Sequence, residues 1–128
     1  MKAADLMIGD WVGRVFDDKR IIEDYRQVDW IRPGEIGMRY CKVWSIGCIE
    51  PIPLTPEILE KNGFWVMEKV DNGAEEYIAY ATDGLIFHYN RDNDYYFPNT
   101  PISWKYVHEL QHALRLCGLE ELADNFKI

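Results

Sequence analysis

Two histidines and a glutamate near the carboxyl end of the chain have a spacing that could bind and use a metal ion. The segment His108-Glu109-Leu110-Gln111-His112 matches the H-E-x-x-H pattern of zinc peptidases. There, two histidines one helical turn apart bind zinc, and the glutamate acts as general base on the metal-bound water. One hypothesis is therefore a zinc-dependent hydrolase with His108 and His112 as metal ligands and Glu109 as catalytic base.

The helical positions of these residues weigh against zinc. At about 100° per residue, the histidines share a polar face with Gln111 and Arg115, opposite the face that carries the apolar side chains. We expect this polar face to meet water, whereas a catalytic zinc ion needs a sheltered cleft. Arg115 would also place a fixed positive charge beside the metal.

A third protein ligand is also missing from the pattern. The longer metzincin motif has glycine where this chain has Arg115. The remaining candidates are a histidine upstream on a predicted hairpin and three acidic residues crowded just past the end of the helix: His88, Glu120, Glu121 and Asp124. We therefore favour an amphipathic helix with no catalytic residue, no metal ligand and no cofactor.

A second pattern, Asn90-Arg-Asp92-Asn-Asp94, has the alternating oxygen ligands of a calcium loop. Tyr95 replaces the glycine of such a loop, and Pro101 replaces its bidentate glutamate. The pattern is better interpreted as a polar hairpin turn.

Composition excludes several classes of function. The 128 residues carry a net charge of −8 and contain no run of lysine or arginine, which disfavours nucleic-acid binding and leaves a basic partner as an option. No apolar stretch has the length of a membrane span or signal peptide. Cys41, Cys48 and Cys117 form no C-x-x-C pair, so we expect reduced thiols in a cytoplasmic protein, with Cys117 buried on the apolar helix face.

Two helices are predicted by their end signals. In residues 51–64, Thr55 is the N-cap, Pro56 takes the first position and Asn62-Gly63 ends the helix. The C-terminal helix is predicted from about Trp104, with Ser103 as N-cap and Gly118 as its end. For residues 119–128 the sequence leaves helix and strand open.

The rest of the chain is predicted as antiparallel strands. Residues 11–16 form the first strand, in a context typical of SH3-like barrels, and residues 36–46 form one extended strand. Residues 17–31 are compatible with a helix or a strand, with strand favoured in the second half. After residue 64, Asn72-Gly73 and Asp83-Gly84 separate apolar runs and predict a β-meander.

Together these elements predict one α+β domain over residues 1–128, antiparallel and rich in β-structure. Its parts are an SH3-like β portion (1–50), a helical joint (51–64), and the meander with an amphipathic C-terminal helix (65–128).

Three sequence blocks carry a resemblance to a known family. Ile8-Gly-Asp-Trp-Val12, Glu50-Pro-Ile-Pro-Leu-Thr-Pro-Glu-Ile-Leu-Glu-Lys-Asn-Gly-Phe64 and Tyr106-Val-His-Glu-Leu-Gln-His-Ala-Leu-Arg-Leu-Cys-Gly118 resemble small uncharacterised proteins of Bacteroides-type gut bacteria, their phages and mobile elements. The resemblance implies a cytoplasmic accessory protein. Some members read His-Gln-Leu-Gln-Asn at the positions of His108 to His112, which implies that the helix serves packing.

The leading functional hypothesis is accordingly a non-enzymatic protein that works by binding a partner protein or by forming a homo-oligomer. It binds neither nucleic acid nor membrane. The zinc-dependent hydrolase is the alternative.

Overall fold

The computed structural model describes residues 1–15, 21–40, 42–90, 92 and 94–128. Its strands, in chain order, are β1 (Trp11–Val15), β2 (Ile22–Arg32), β3 (Glu35–Met38), β4 (Lys42–Ser45), β5 (Ile49–Glu50), β6 (Trp65–Asp71), β7 (Glu76–Thr82), β8 (Leu85–Tyr89), β9 (Tyr95–Tyr96) and β10 (Ser103–Trp104). The α-helices are α1 (Pro56–Lys61), α2 (Val107–Leu116) and α3 (Glu120–Asp124). All strand pairs among these described residues are antiparallel, which confirms the predicted α+β class.

The chain divides into two compact units. The first comprises Met1–Pro53 and Tyr106–Phe126, and the second comprises Leu54–Lys105 with Lys127–Ile128. Helix α2 thus belongs with the N-terminal strands, whereas the sequence grouped it with the meander. The single domain over residues 1–128 stays a prediction.

The first unit contains a five-stranded sheet in the order β4-β3-β2-β1-β5. Strand β5 follows a 3-10 turn, Ile46–Cys48, and pairs with β1. The ambiguous segment is strand from Ile22 onward, while residues 16–20, including the predicted strand end at Phe16, lie outside the described residues. The core is apolar and consists of Leu6, Val12, Val28, Ile36, Met38, Trp44 and Ile49.

The single strand predicted over residues 36–46 is wrong. The chain forms a hairpin there, with β3 and β4 paired and Tyr40 between them at φ 69°. A tyrosine at positive φ is uncommon, and sequence alternation alone gave no sign of this reversal. Both strands still place apolar side chains in the core, because Ile36 lies opposite Trp44.

The second unit contains the predicted meander, in the order β10-β9-β8-β7-β6. Asp83 and Gly84 both have positive φ and join β7 to β8, as the Asp-Gly signal predicts. One face of the sheet carries an aromatic core around Phe87, whose ring lies 5.3 Å from the rings of both Phe64 and Trp104.

Helix ends follow the predicted capping with one exception. Thr55 Oγ1 accepts from Ile58 N at 3.3 Å, which confirms the N-cap of α1. Both α1 and α2 end in the two hydrogen bonds of a Schellman motif, with Gly63 and Gly118 at positive φ. Ser103 is not an N-cap, because it pairs in β10 and α2 begins only at Val107.

Residues 119–128 contain the short helix α3, so the helical alternative holds there. Phe126 follows it and is buried. In the described part of the chain, no helix is long and apolar enough to cross a membrane.

Candidate functional sites

The polar face of α2 packs around a buried carboxylate. Asp10 has no exposed surface, and its Oδ1 accepts from Arg115 Nη1 at 2.8 Å. Its Oδ2 lies 2.6 Å from His112 Nε2 and accepts from the backbone N–H of Met7 at 2.8 Å. A buried carboxylate is stable only when paired and hydrogen-bonded, and these contacts meet that need. They also fix α2 to the segment before β1.

Gln111, at the centre of the same helix face, is also fully buried. Its Oε1 accepts from Trp11 N, and its Nε2 donates to the carbonyls of Gly9 and Ala123, each at 2.9 Å. Gly9 has φ 94°, and a Cβ there would lie 3.0 Å from Arg115 Nη2. Glycine therefore permits both the turn and the close approach to the helix.

The expectation that this face meets water is wrong. The side chains of Gln111 and His108 are buried, that of Arg115 is 12% exposed and that of His112 is 28% exposed. Residues 8–11 contact Gln111 and Arg115 and cover that part of the helix. In the sequence, the polar residues on this face of α2 indicate contact with solvent. In the structure, they form hydrogen bonds to a second segment of the chain.

Replacing Asp10 by asparagine should destabilise the protein by about 3 kcal/mol, because Arg115 would keep a largely buried charge with only the longer, exposed contact to Asp124 at 3.4 Å. Urea denaturation monitored by tryptophan fluorescence measures the change. The matched control is Asp24→Asn, which breaks a more exposed ion pair with Arg26 at 3.4 Å and should change stability by less than about 1 kcal/mol. Equal effects from both substitutions would contradict the role given to Asp10.

His108 is 7% exposed, and its Nδ1 is buried without a hydrogen-bond partner. Its ring stacks near Tyr106, at 6.1 Å between centroids and 14° between planes. Burial lowers the pKa of His108, and the carboxylates of Asp10, Glu109 and Asp5 oppose that shift in part. The imidazole is therefore held toward its neutral form.

The depressed pKa of His108 predicts a loss of stability in acid. The unfolded chain, with an ordinary histidine pKa of about 6.5, binds the proton more readily than the folded chain. The stabilisation is thus present above about pH 6.5 and is lost as the pH falls toward the folded-state pKa.

The His108→Gln variant should therefore lose less stability than the wild type between about pH 7.5 and about pH 5.5 in urea denaturation. A histidine NMR titration of the folded protein provides the control, since the His108 resonance should titrate below the ordinary value. If wild type and variant lose the same stability, His108 does not titrate as described.

The fold brings the three side chains of the zinc motif together only in part. The rings of His108 and His112 lie 5.7 Å apart, but His112 Nε2 contacts Asp10. Glu109 Oε1 accepts from Tyr106 N at 3.1 Å, as a carboxylate in the first turn of a helix does in a capping box. Among the described residues, no three His, Cys, Asp or Glu side chains are arranged to hold a metal ion.

The other candidate ligands have separate surroundings. Asp124 Oδ1 lies 3.4 Å from Arg115 Nη2, and Glu120 and Glu121 are exposed on α3. His88 is in β8 of the second unit, where its ring stacks on Tyr77 at 4.2 Å. Burial lowers the pKa of His88 as well.

Two smaller expectations have different outcomes. Cys117 is exposed, contrary to the predicted burial, because it lies at the C-cap of α2 where the last turn leaves the core. Asn90 Oδ1 accepts from the backbone N–H groups of Asp92 and Asp94, which fits the predicted polar turn. Arg91 and Asn93 of that pattern lie outside the described residues, as does Cys41.

A second candidate site is the free side of β6. This strand lies at the end of its sheet order, and three consecutive apolar side chains are exposed, Trp65 by 54%, Val66 by 46% and Met67 by 49%. Beside it lies a pocket of about 330 Å³, lined in part by Phe64, Trp65 and Tyr80. An edge strand with exposed apolar residues is suited to pairing with another strand.

Comparisons with models of known protein families, with curated proteins and with solved structures gave no match.

Proposed function

We propose that this chain is a non-enzymatic, cytoplasmic accessory protein that binds a partner protein by strand addition at β6. The observation that carries the proposal is the run of three exposed apolar residues, Trp65 to Met67, on an edge strand. Soluble domains usually protect such edges with charge, proline or a covering segment. An uncovered apolar edge is consistent with a surface kept for binding.

The backbone of β6 supplies one half of the recognition. Its seven residues pair with β7 on one side, and no strand in the described part of the chain pairs with the other. An added strand would form main-chain hydrogen bonds there, which give affinity without reading sequence. The neighbouring pocket of about 330 Å³ would accept one apolar side chain of that strand.

Charge favours a basic partner over a second copy. Each copy carries a net charge of −8, so two copies repel, whereas a segment with lysine or arginine is attracted. Strand β6 contains two acidic residues and one basic residue, Glu68, Asp71 and Lys69, and Glu60 lines the pocket. The proposed ligand is therefore an extended segment that alternates apolar and basic residues.

We also propose that the first unit is SH3-like and that the protein originates from a phage or mobile element. The return of β5 to β1 after a 3-10 turn supports an SH3-like barrel. The three sequence blocks support the origin, and the free thiols of Cys48 and Cys117 are compatible with a cytoplasm. Some of the proteins that this sequence resembles have asparagine at the position of His112. An asparagine side chain can also donate a hydrogen bond to Asp10, so the contact with this carboxylate does not require histidine.

Strand addition predicts binding of a fluorescent peptide of alternating lysine and valine, at least about tenfold tighter than a peptide of alternating glutamate and valine. Binding should also slow amide hydrogen exchange within β6. Trp65→Ser should weaken binding, whereas Ile86→Ser removes a comparably exposed apolar residue from the inner strand β8 and serves as the matched control.

Equal binding by both variants, or unchanged exchange in β6 with the peptide bound, would contradict strand addition. Sedimentation of the protein alone tests whether β6 pairs with a second copy of this chain. If the wild type is a dimer and the Trp65→Ser variant is a monomer, self-association replaces partner binding as the function of β6.

The second candidate function is a zinc-dependent hydrolase that uses His108 and His112 as ligands and Glu109 as base. One observation favours it, since the three side chains line one groove. The contacts of His112 with Asp10 and of Glu109 with the helix N-terminus weigh against it. This candidate predicts hydrolysis of fluorescent casein that requires added zinc and is abolished by Glu109→Gln. Without zinc-dependent hydrolysis in the wild type, the candidate fails.

A further inference from the structure

A row of three aromatic rings crosses the sheet of the second unit, on the face opposite the core around Phe87. His88 is paired with Ala79 of β7 and with Tyr96 of β9, and directly paired residues point to the same face of a sheet. Tyr77 lies two residues before Ala79 in β7 and therefore points to that face as well. Phe87 precedes His88 in β8 and points to the core. The rings of Tyr77, His88 and Tyr96 thus lie on three neighbouring strands, away from the core.

The three rings contact one another and remain accessible. The Tyr77 ring stacks on that of His88 at 4.2 Å and 7°, and the Tyr96 ring lies 5.6 Å from that of His88 at 80°. All three residues are half-buried. Burial lowers the pKa of His88, so its imidazole is largely neutral at pH 7. The row is therefore an uncharged aromatic surface that a ligand can reach.

A pocket of about 400 Å³ adjoins this row. Its lining includes the three rings together with Pro98 and Asn99, which follow β9, and all its lining residues belong to the second unit. The turn that contains them is closed by hydrogen bonds from N and Oγ1 of Thr100 to the carbonyl of Phe97. The volume lies in the range of ligand sites, about 300–1,000 Å³. The pocket thus has one aromatic wall and one wall formed by a hydrogen-bonded turn.

Glu75 adds a negative charge to the lining. It is exposed in the turn between β6 and β7, where its backbone N–H donates to Asn72 Oδ1 at 2.8 Å. Partial burial raises the pKa of Tyr77, and the charges of Glu68 and Glu75 add to that rise, which places Glu75 close to the aromatic row. Its carboxylate forms no ion pair with any described residue. The pocket therefore combines aromatic surface with a carboxylate that is available to a basic group.

An aromatic surface on a sheet face suits a segment rich in proline. Such segments adopt the polyproline II helix and bind grooves lined by aromatic side chains, and they lose little entropy because the helix is already formed. The face of a sheet has no free backbone groups, so the missing N–H of proline costs nothing there.

The length of the row also matches this helix. One turn of polyproline II contains three residues at about 3.1 Å each and is about 9 Å long. The two ring-to-ring distances along the row, 4.2 Å and 5.6 Å, give it a similar length. A proline-rich segment that crosses the strands could therefore pack successive turns against Tyr77 and Tyr96.

We infer that this pocket binds a proline-rich segment of a partner protein that carries a lysine or arginine beside its prolines. The prolines pack on Tyr77, His88 and Tyr96, and the basic side chain pairs with Glu75. The net charge of −8 favours the same basic ligand. The site does not depend on strand addition at β6, because proline lacks the N–H that extends a sheet.

The test is titration of the full-length protein with a fluorescent hexaproline peptide that ends in lysine, followed by anisotropy. This peptide should bind at least about tenfold tighter than a peptide with alanine in place of proline, and tighter than a hexaproline peptide that ends in glutamate. In NMR spectra it should shift the ring signals of Tyr77, His88 and Tyr96 and leave amide exchange in β6 unchanged. The last readout separates this site from β6, so either proposal can fail without the other.

Tyr77→Ser should weaken binding of the hexaproline-lysine peptide about tenfold. The matched control, Tyr25→Ser, removes an exposed tyrosine from β2 of the first unit and should leave binding unchanged. Glu75→Gln changes an exposed turn residue, so it should leave the fold intact and abolish the preference for the lysine peptide over the glutamate peptide.

Four results would each overturn the inference. They are absent saturation at ~1 mM peptide, equal binding of the proline and alanine peptides, equal affinities of the two tyrosine variants, and a lysine preference that survives Glu75→Gln.

Discussion

The buried carboxylate of Asp10 is the contact on which the first unit depends. It accepts hydrogen bonds from Arg115 and from the backbone of Met7, and it contacts His112. These contacts join the turn before β1 to a helix about a hundred residues later in the chain. Because removal of one partner would leave a buried or largely buried charge less well paired, the turn and the helix stabilise each other.

This dependence explains why the zinc motif and the fold compete for the same side chains. A zinc ligand must present a free nitrogen to the metal, and an orienting carboxylate normally contacts the other ring nitrogen. Asp10 contacts Nε2 of His112, which leaves only Nδ1 of that ring for a metal, and Glu109 caps the first turn of α2. Of the three motif side chains, His108 keeps a buried ring nitrogen, Nδ1, without a hydrogen-bond partner. The H-E-x-x-H spacing thus contributes one capping residue, one contact with the buried Asp10 carboxylate and one imidazole with an unpaired nitrogen.

Features that depend on near neighbours could be predicted from the sequence. The cap at Thr55 and the glycine ends of α1 and α2 involve residues three to five positions apart, and the meander turns involve adjacent residues. The polar face of α2 could not be predicted, because Gln111 binds a backbone carbonyl 102 positions away. A helix face that hydrogen-bonds another segment has the same polarity pattern as one that meets water. The predicted start of α2 is wrong for a related reason. Ser103 is a favourable N-cap residue by type, but it pairs with Tyr96 in a strand, a contact that its neighbours in sequence do not reveal.

The central claim, that the polar face of α2 serves folding, is tested most directly by the zinc content of the purified protein. We predict less than stoichiometric zinc in both the wild type and His112→Ala after equilibration with the metal and removal of the excess, with His112→Ala less stable to urea because Asp10 loses a contact. One zinc ion per chain in the wild type, lost in His112→Ala, would contradict the account and favour the hydrolase.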